Sequence, residues 1–249
     1  MLKLGRKLLP AVHPHLKMRS YMSASLPAPP ATLDNTAAAM PSLSKMMLND
    51  QLGCCEIAWH FGHLRGVWTA ENGHCEVTSD GWIERLYEVI GGYRPGNPGT
   101  DQGCATQDVL AYMIRAKEAI GYVAVNAADP TELRTAVWLF GAVTLGACLP
   151  DDVIQNPLAE WRSTSGEPDP NNGHCFGCPG KYDGSTIGIS TWGQVITASD
   201  EWVSKYCATH NQGECWAILG SNWVNQVTHK APNGFDIVSL KSHLEALGT

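Results

Sequence analysis

The chain is poor in charge. Asp, Glu, Lys and Arg make up 16% of its 249 residues against 44% hydrophobic residues, which excludes a coiled coil or a charge-solvated disordered chain. It also lacks a long apolar run. The longest uncharged stretch, 135–150, is interrupted by glycines and falls short of the roughly 20 apolar residues that a bilayer helix requires, so no membrane partner is expected. The opening "MLKLGRKLLPAVHPHLKMRS" has no continuous apolar core before Pro10 and His13, so no secretion signal is read there. The glycine patterns that cradle nucleotide phosphates, G-x-G-x-x-G and G-x-x-x-x-G-K-[ST], are missing, and no organic cofactor is expected. Acid is absent from the first 33 residues, which carry Lys3, Arg6, Lys7, Lys17 and Arg19. With a net charge of −7 overall, a basic arm is attached to an acidic body.

What is present is a loop-rich chain with 25 glycines and 15 prolines, long enough to bury one core. Residues 1–45 show neither helical nor strand period, and "SLPAPPATLDNTAAAMPSLS" reads as an extended Pro/Ala-rich docking arm. The domain proper is expected over 46–249. Such an arm can dock on an acidic protein surface, on its own body in an oligomer, or on nucleic acid. Without interleaved aromatics nucleic acid is the least favoured, and protein docking in an oligomeric assembly is the expectation.

Beyond residue 46 the apolar spacing is helical over 55–65 (Ala58, Phe61, Leu64) and over 106–117 (Val109, Leu110, Met113, Ala116). A third helix is bounded by Asp129 as N-cap, Pro130 at its first position and Gly141 at its end. Strands are expected at 142–149, 185–192 and 214–219, a short capped helix at 199–207, and an amphipathic C-terminal helix through Ile237, Leu240, Leu244 and Leu247. Helices precede strands. That segregation is the α+β pattern.

Nine cysteines in a chain with no export signal read as free thiols. In "NDQLGCC" (49–55), Cys54 and Cys55 stand at the start of the first expected helix, where unpaired N–H groups lower a thiol pKa. Each could be a nucleophile, a metal ligand or buried sulfur. A nucleophilic thiol needs an imidazole to take its proton and a donor for the oxyanion. His174, in "NNGHCFGC", is the preferred imidazole. His60 and His63 lie too far along the thiol's own helix, and His13, His15, His229 and His243 fall in flanking segments. The same stretch offers Cys175 and Cys178 in a C-x-x-C spacing that suits zinc, a weaker alternative because no second C-x-x-C supplies the remaining ligands; a disulfide at either cysteine is a further option.

The motifs "NDQLGCC", "FGAVTLGACLP", "NGHC", "STWG" and "PNGFDIVSLKSHL", in that order, give the chain a resemblance to the papain-like cysteine peptidase superfamily. More narrowly, it resembles the C39-peptidase-like proteins of bacteria and bacteriophages. The resemblance spans roughly 45–248 and implies a papain-like α+β fold, with a helical half carrying the cysteine and an antiparallel half carrying the histidine. It places Cys55 at the nucleophile, Asn49 at the oxyanion-hole amide, His174 at the general base and Ser190 where the family keeps an orienting Asn; Cys54 takes a position that is commonly Asp. The function it implies is peptide hydrolysis by Cys-His acyl transfer. The alternative is a non-catalytic bacteriophage virion protein, a decoration, collar or tail component, whose arm binds other virion or assembly proteins. The setting is then a virion, or otherwise the bacterial cytoplasm.

Overall fold

The computed structural model describes residues 2–8, 17–20 and 28–223. The expected C-terminal helix, the "PNGFD" stretch, His13, His15, His229 and His243 lie outside the described residues.

The core is built from a helical half and an antiparallel sheet. In the helical half, α1 (Thr36–Leu43) packs on a long helix, α2, whose consecutive parts are Cys55–Ile57, Ala58–His63 and Leu64–Glu71. The middle part has π spacing, one residue wider per turn than an α-helix. All but Arg65, Thr69 and Glu71 of α2 is buried, so this helix is core on every side rather than amphipathic. Next come α3 (Asp80–Gly91), capped by the Ser79 side chain accepting from Trp82 N, and α4 (Thr106–Arg115). The third helix begins as its sequence predicts. In α5 (Pro130–Phe140) the Asp129 carboxylate accepts from the N–H groups of Thr131 and Glu132, and Gly141 closes the helix in the left-handed region.

Among the described residues eight strands form one sheet in the order β1-β5-β6-β4-β3-β8-β2, with β7 paired to β6. They are β1 (Thr32–Asp34), β2 (Ala119–Ala124), β3 (Val143–Cys148), β4 (Gly173–Cys178), β5 (Lys181–Asp183), β6 (Thr186–Thr191), β7 (Gln194–Ser199) and β8 (Glu214–Gly220). Ser199 caps the short helix α6 (Asp200–Tyr206). The expected strands at 142–149, 185–192 and 214–219 correspond to β3, β6 and β8.

One local reading differs from the expectation. Thr32–Asp34 and Thr36–Leu43, read as extended arm, form β1 and α1; Pro41 stands inside that helix, and packing against α2 outweighs its propensity cost. The polar stretch before His174 leads into a fully buried strand, β4, because its neighbours β3 and β6 pair with it on both sides.

Strand β4 faces two ways. Gly173, Cys175 and Gly177 look toward α2, where a Cβ on Gly177 would lie 1.9 Å from the Trp59 ring. His174 and Phe176 look toward an aromatic cluster, with Phe176 edge-on to Trp161 at 5.1 Å and Trp161 against Trp202 at 4.7 Å. Only glycine at 177 lets α2 approach this closely, and that approach brings the start of α2 to the start of β4.

Candidate active site

Where α2 meets β4, the Cys55 sulfur accepts a hydrogen bond from the backbone N–H of Cys175 at 3.4 Å. Cys55 opens its helix, as the sequence predicts, and is fully buried. The His174 ring, one residue before that N–H, lies flat on Trp192, with centroids 4.1 Å apart and planes 9° apart. Its Nε2 is 2.7 Å from Thr191 Oγ1, while Nδ1 has no hydrogen-bond partner. The hydroxyl that holds the ring is therefore that of Thr191 rather than that of Ser190. Ser190 pairs with Gly177 across β4 and β6, which turns its side chain to the other face of the sheet. There Ser190 Oγ is buried without a partner. Asn49 and Ser190 line one small cavity of about 10 Å3 together with Cys55, His63, Cys175 and Trp192.

Burial dominates the electrostatics. It pushes the Cys55 thiol up to about 12, aided by the neighbouring Glu56 carboxylate and opposed by the Cys175 N–H and the Arg6 guanidinium. Burial likewise pulls His174 down to about 3, with the Arg6 charge acting in the same direction. In this arrangement the thiol and the imidazole are both neutral.

The N-terminal segment crosses this site. Residues 2–8 lie in the gap between the two halves, where Lys3 N donates to Asn49 O (3.2 Å) and Trp192 Nε1 donates to Lys3 O (3.2 Å). Gly5 N and Arg6 N both donate to Gly173 O, at 3.2 and 3.1 Å, and Cys104 N donates to Gly5 O at 2.9 Å. The Gly5 backbone also acts to lower the Cys55 thiol, the smallest of the opposing influences on it.

Beneath the segment lies a polar network that sequence reasoning did not find. The Arg6 guanidinium is buried against Glu214, with Nη1 to Oε1 at 2.8 Å, and Nη2 donates to Gln212 O at 2.7 Å. Thr106 Oγ1 stands 2.7 Å from Glu214 Oε1 and 2.8 Å from Glu56 Oε1. Burial and the nearby Glu214 raise the Glu56 carboxyl to about 8, so it holds its proton at neutral pH. The one signal in the sequence was an acid directly after Cys55 in an otherwise apolar helix.

The zinc alternative fails on strand geometry. Cys175 and Cys178 are three residues apart on β4 and so face opposite sides; Cys178 Sγ donates to Lys181 O at 3.1 Å. All nine cysteines are free thiols. Among the described residues Glu56, His60 and Cys175 bring donor atoms within 4.8 Å of one another. However, His60 Nδ1 lies 2.8 Å from the Glu56 carbonyl oxygen, which requires a proton on that nitrogen and leaves it no lone pair for a metal. Cys54 is buried, with its sulfur directed to Met47 O at 3.5 Å.

No protein-family profile and no curated protein matches the chain. Solved structures do. Xylellain, a cysteine protease from Xylella fastidiosa, aligns with a TM-score of 0.58 at 14% identity, over 88% of this chain and 98% of that one. Procathepsin L 3 of the Tenebrio molitor larval midgut gives 0.55 at 15%, over 86% and 75%. The ragweed allergen Amb a 11, a cysteine protease in its proform, gives 0.56 at 14%, over 84% and 71%. The chain has the papain-like fold. A helical half, with Cys55 on α2, and an antiparallel half, with His174 on β4, are the two halves expected from the motifs.

Proposed function

We propose that this is a cysteine peptidase-type acyl-transfer site, held closed by residues 2–8 of the same chain. The observation that carries the reading is the meeting of Cys55, at the start of α2, with the start of β4, although neither nitrogen of His174 is hydrogen-bonded to the Cys55 sulfur. Cys55 opens the helix with its sulfur on the Cys175 N–H, and the ring of His174, the residue before Cys175 on β4, has Nε2 engaged by Thr191 and Nδ1 unpaired. With Nε2–H donating to Thr191 Oγ1, the lone pair on Nδ1 is the one free to take a proton. Once the segment withdraws, water enters, the desolvation that keeps both groups neutral falls, and the helix N-terminus favours the thiolate. For the thiol proton to pass to His174, the ring must come within reach of the sulfur, to which neither of its nitrogens is hydrogen-bonded in this closed arrangement; sulfur then bonds to the substrate carbonyl carbon. The oxyanion is met by Asn49 and the Cys55 N–H; the C–N bond breaks as the imidazolium protonates the leaving amine, and water then hydrolyses the thioester. The narrower likeness to C39-peptidase-like proteins rests on the sequence motifs.

The second reading, a non-catalytic component of a bacteriophage virion or another oligomeric assembly, is favoured by the fully buried Cys55 and the filled cleft. Iodoacetamide labelling at neutral pH separates the two. In the intact chain Cys55 reacts slowly; in Arg6→Ala it becomes the first cysteine alkylated, peptide hydrolysis appears, and Cys55→Ala in that background abolishes both. If Arg6→Ala labels Cys55 no faster than the core residue Cys215 and cleaves nothing, the catalytic reading is lost.

A further inference from the structure

We infer that Cys55 and Cys175 form a peroxide-reactive dithiol pair, in which Cys55 takes an oxygen from a hydroperoxide and Cys175 resolves it to a reversible disulfide joining α2 to β4. The inference rests on the reading that residues 2–8 withdraw from Cys55 and leave it a thiolate. Its first support is position. The Cys175 N–H donates to the Cys55 sulfur at 3.4 Å, across 120 residues of chain. Cys175 is one of the β4 residues that look toward α2, and the two cysteines line the same small cavity. A disulfide requires Cα atoms about 4.4–6.8 Å apart. One bond separates that nitrogen from the Cys175 Cα and two separate the sulfur from the Cys55 Cα, so the contact, bent at ordinary angles, spans that range.

The second support is where the sulfurs point. Cys54 directs its sulfur to Met47 O at 3.5 Å and Cys178 to Lys181 O at 3.1 Å, while Cys148 Sγ accepts from Arg6 Nη2 at 3.7 Å. Cys175 differs. Its sulfur lies within 4.8 Å of a Glu56 carboxyl oxygen and of a His60 ring nitrogen, which places it against the first turns of α2, the helix that Cys55 opens.

The third support is chemistry. The helix N-terminus and the Cys175 N–H both favour a thiolate at Cys55, the form that peroxide oxidises. Its sulfur attacks the terminal peroxide oxygen; the S–O bond forms, the O–O bond breaks, and the leaving oxide takes up the proton that the thiol had given up. Cys55 is then a sulfenic acid, oxidised by two electrons, and the peroxide has been reduced to an alcohol or water by the same two. The Cys175 sulfur next attacks the Cys55 sulfur. The S–S bond forms as the S–O bond breaks, and the Cys175 thiol proton leaves with the hydroxide as water. A thiol poised beside the oxidised one halts the ladder at the disulfide, before the irreversible sulfinic acid. The linkage takes the Cys55 sulfur out of acyl transfer until a dithiol reductant restores it.

The test uses the full chain with Arg6→Ala, which loosens the cover over Cys55, treated with limiting hydrogen peroxide and mapped as unreduced peptides. The first linked pair should be Cys55–Cys175, with two thiols lost for each peroxide consumed, and dithiothreitol should restore both thiols. With Cys175→Ala in the same background, Cys55 should advance to the sulfinic acid, and dithiothreitol should restore little of it. A first link from Cys55 to Cys54 or Cys104, no link at all, or equal recovery with and without Cys175 overturns the pair. If Arg6→Ala does not fold, the intact chain under longer exposure must yield the same linked pair, and any other result there overturns it. Peptide cleavage is measured separately. Linkage in an Arg6→Ala protein that cleaves nothing retains the pair and defeats the acyl-transfer reading; cleavage that Cys55→Ala abolishes, without linkage, defeats the pair alone.

Discussion

A hydroxyl at residue 191 and another at residue 190 lie one position apart in sequence and on opposite faces of β6. Thr191 touches the His174 ring at 2.7 Å, while Ser190 Oγ is buried with no partner. Their variants should therefore separate. In the Arg6→Ala background, Thr191→Val frees the ring and lowers kcat roughly 10²-fold, the scale of a general-base contribution, with KM little changed. Steady-state kinetics across pH check this, because a positioning role also shifts the basic limb of the profile. Ser190→Ala removes an unsatisfied buried hydroxyl and should leave kcat intact while raising stability by about 1 kcal/mol in urea denaturation. The sixteen-residue spacing from His174 pointed to Ser190; which of two adjacent hydroxyls faces the ring depends on strand register, and register is fixed by pairing with β4.

At the scale of elements, the joint between α2 and β4 sets both stability and its response to pH. Gly177→Ala places a methyl group 1.9 Å from the Trp59 ring, and both partners sit on packed elements that cannot yield cheaply. A loss of about 3 kcal/mol or more in the urea midpoint analysis is expected. Three buried histidines around the joint are held neutral: burial brings His60 and His63 down to about 4 and His174 to about 3. Unfolding lets each return to its ordinary value near 6.5, so their stabilisation is present above that pH and is lost as pH falls toward 4 and 3. Glu56, raised to about 8, has the opposite sign; its contribution is present below the ordinary carboxylate range and is lost as pH rises through 8. Three imidazoles outweigh one carboxyl where the windows overlap. The urea midpoint should fall steadily on acidification below about pH 6.5, and a midpoint that rose there would contradict the assignment.

At the scale of the whole molecule, the N-terminal segment joins the two halves through Asn49 on one side and Gly173 and Trp192 on the other. The ion pair beneath it is buried, with Arg6 side-chain exposure of 3%, so ionic strength screens it weakly. Cys55 alkylation in the intact chain should therefore change little on raising salt to roughly 0.5 M, whereas a segment held by its exposed Lys3–Asp101 contact (3.9 Å) would release. Arrival rates of label at Cys55 measured at both salt levels decide the point.

By itself the sequence determined the α+β class, the capped helix at Asp129, the strands β3, β6 and β8, and the placement of Cys55 at a helix start. Each is a local property, written in spacing, caps and turn residues. Only the tertiary structure decided that Thr191 rather than Ser190 holds the imidazole, that Cys175 and Cys178 face apart, and that the basic arm docks through Arg6 on a buried Glu214. Those outcomes depend on strand register and on pairs up to 208 residues apart, and no pattern within a single segment carries that separation.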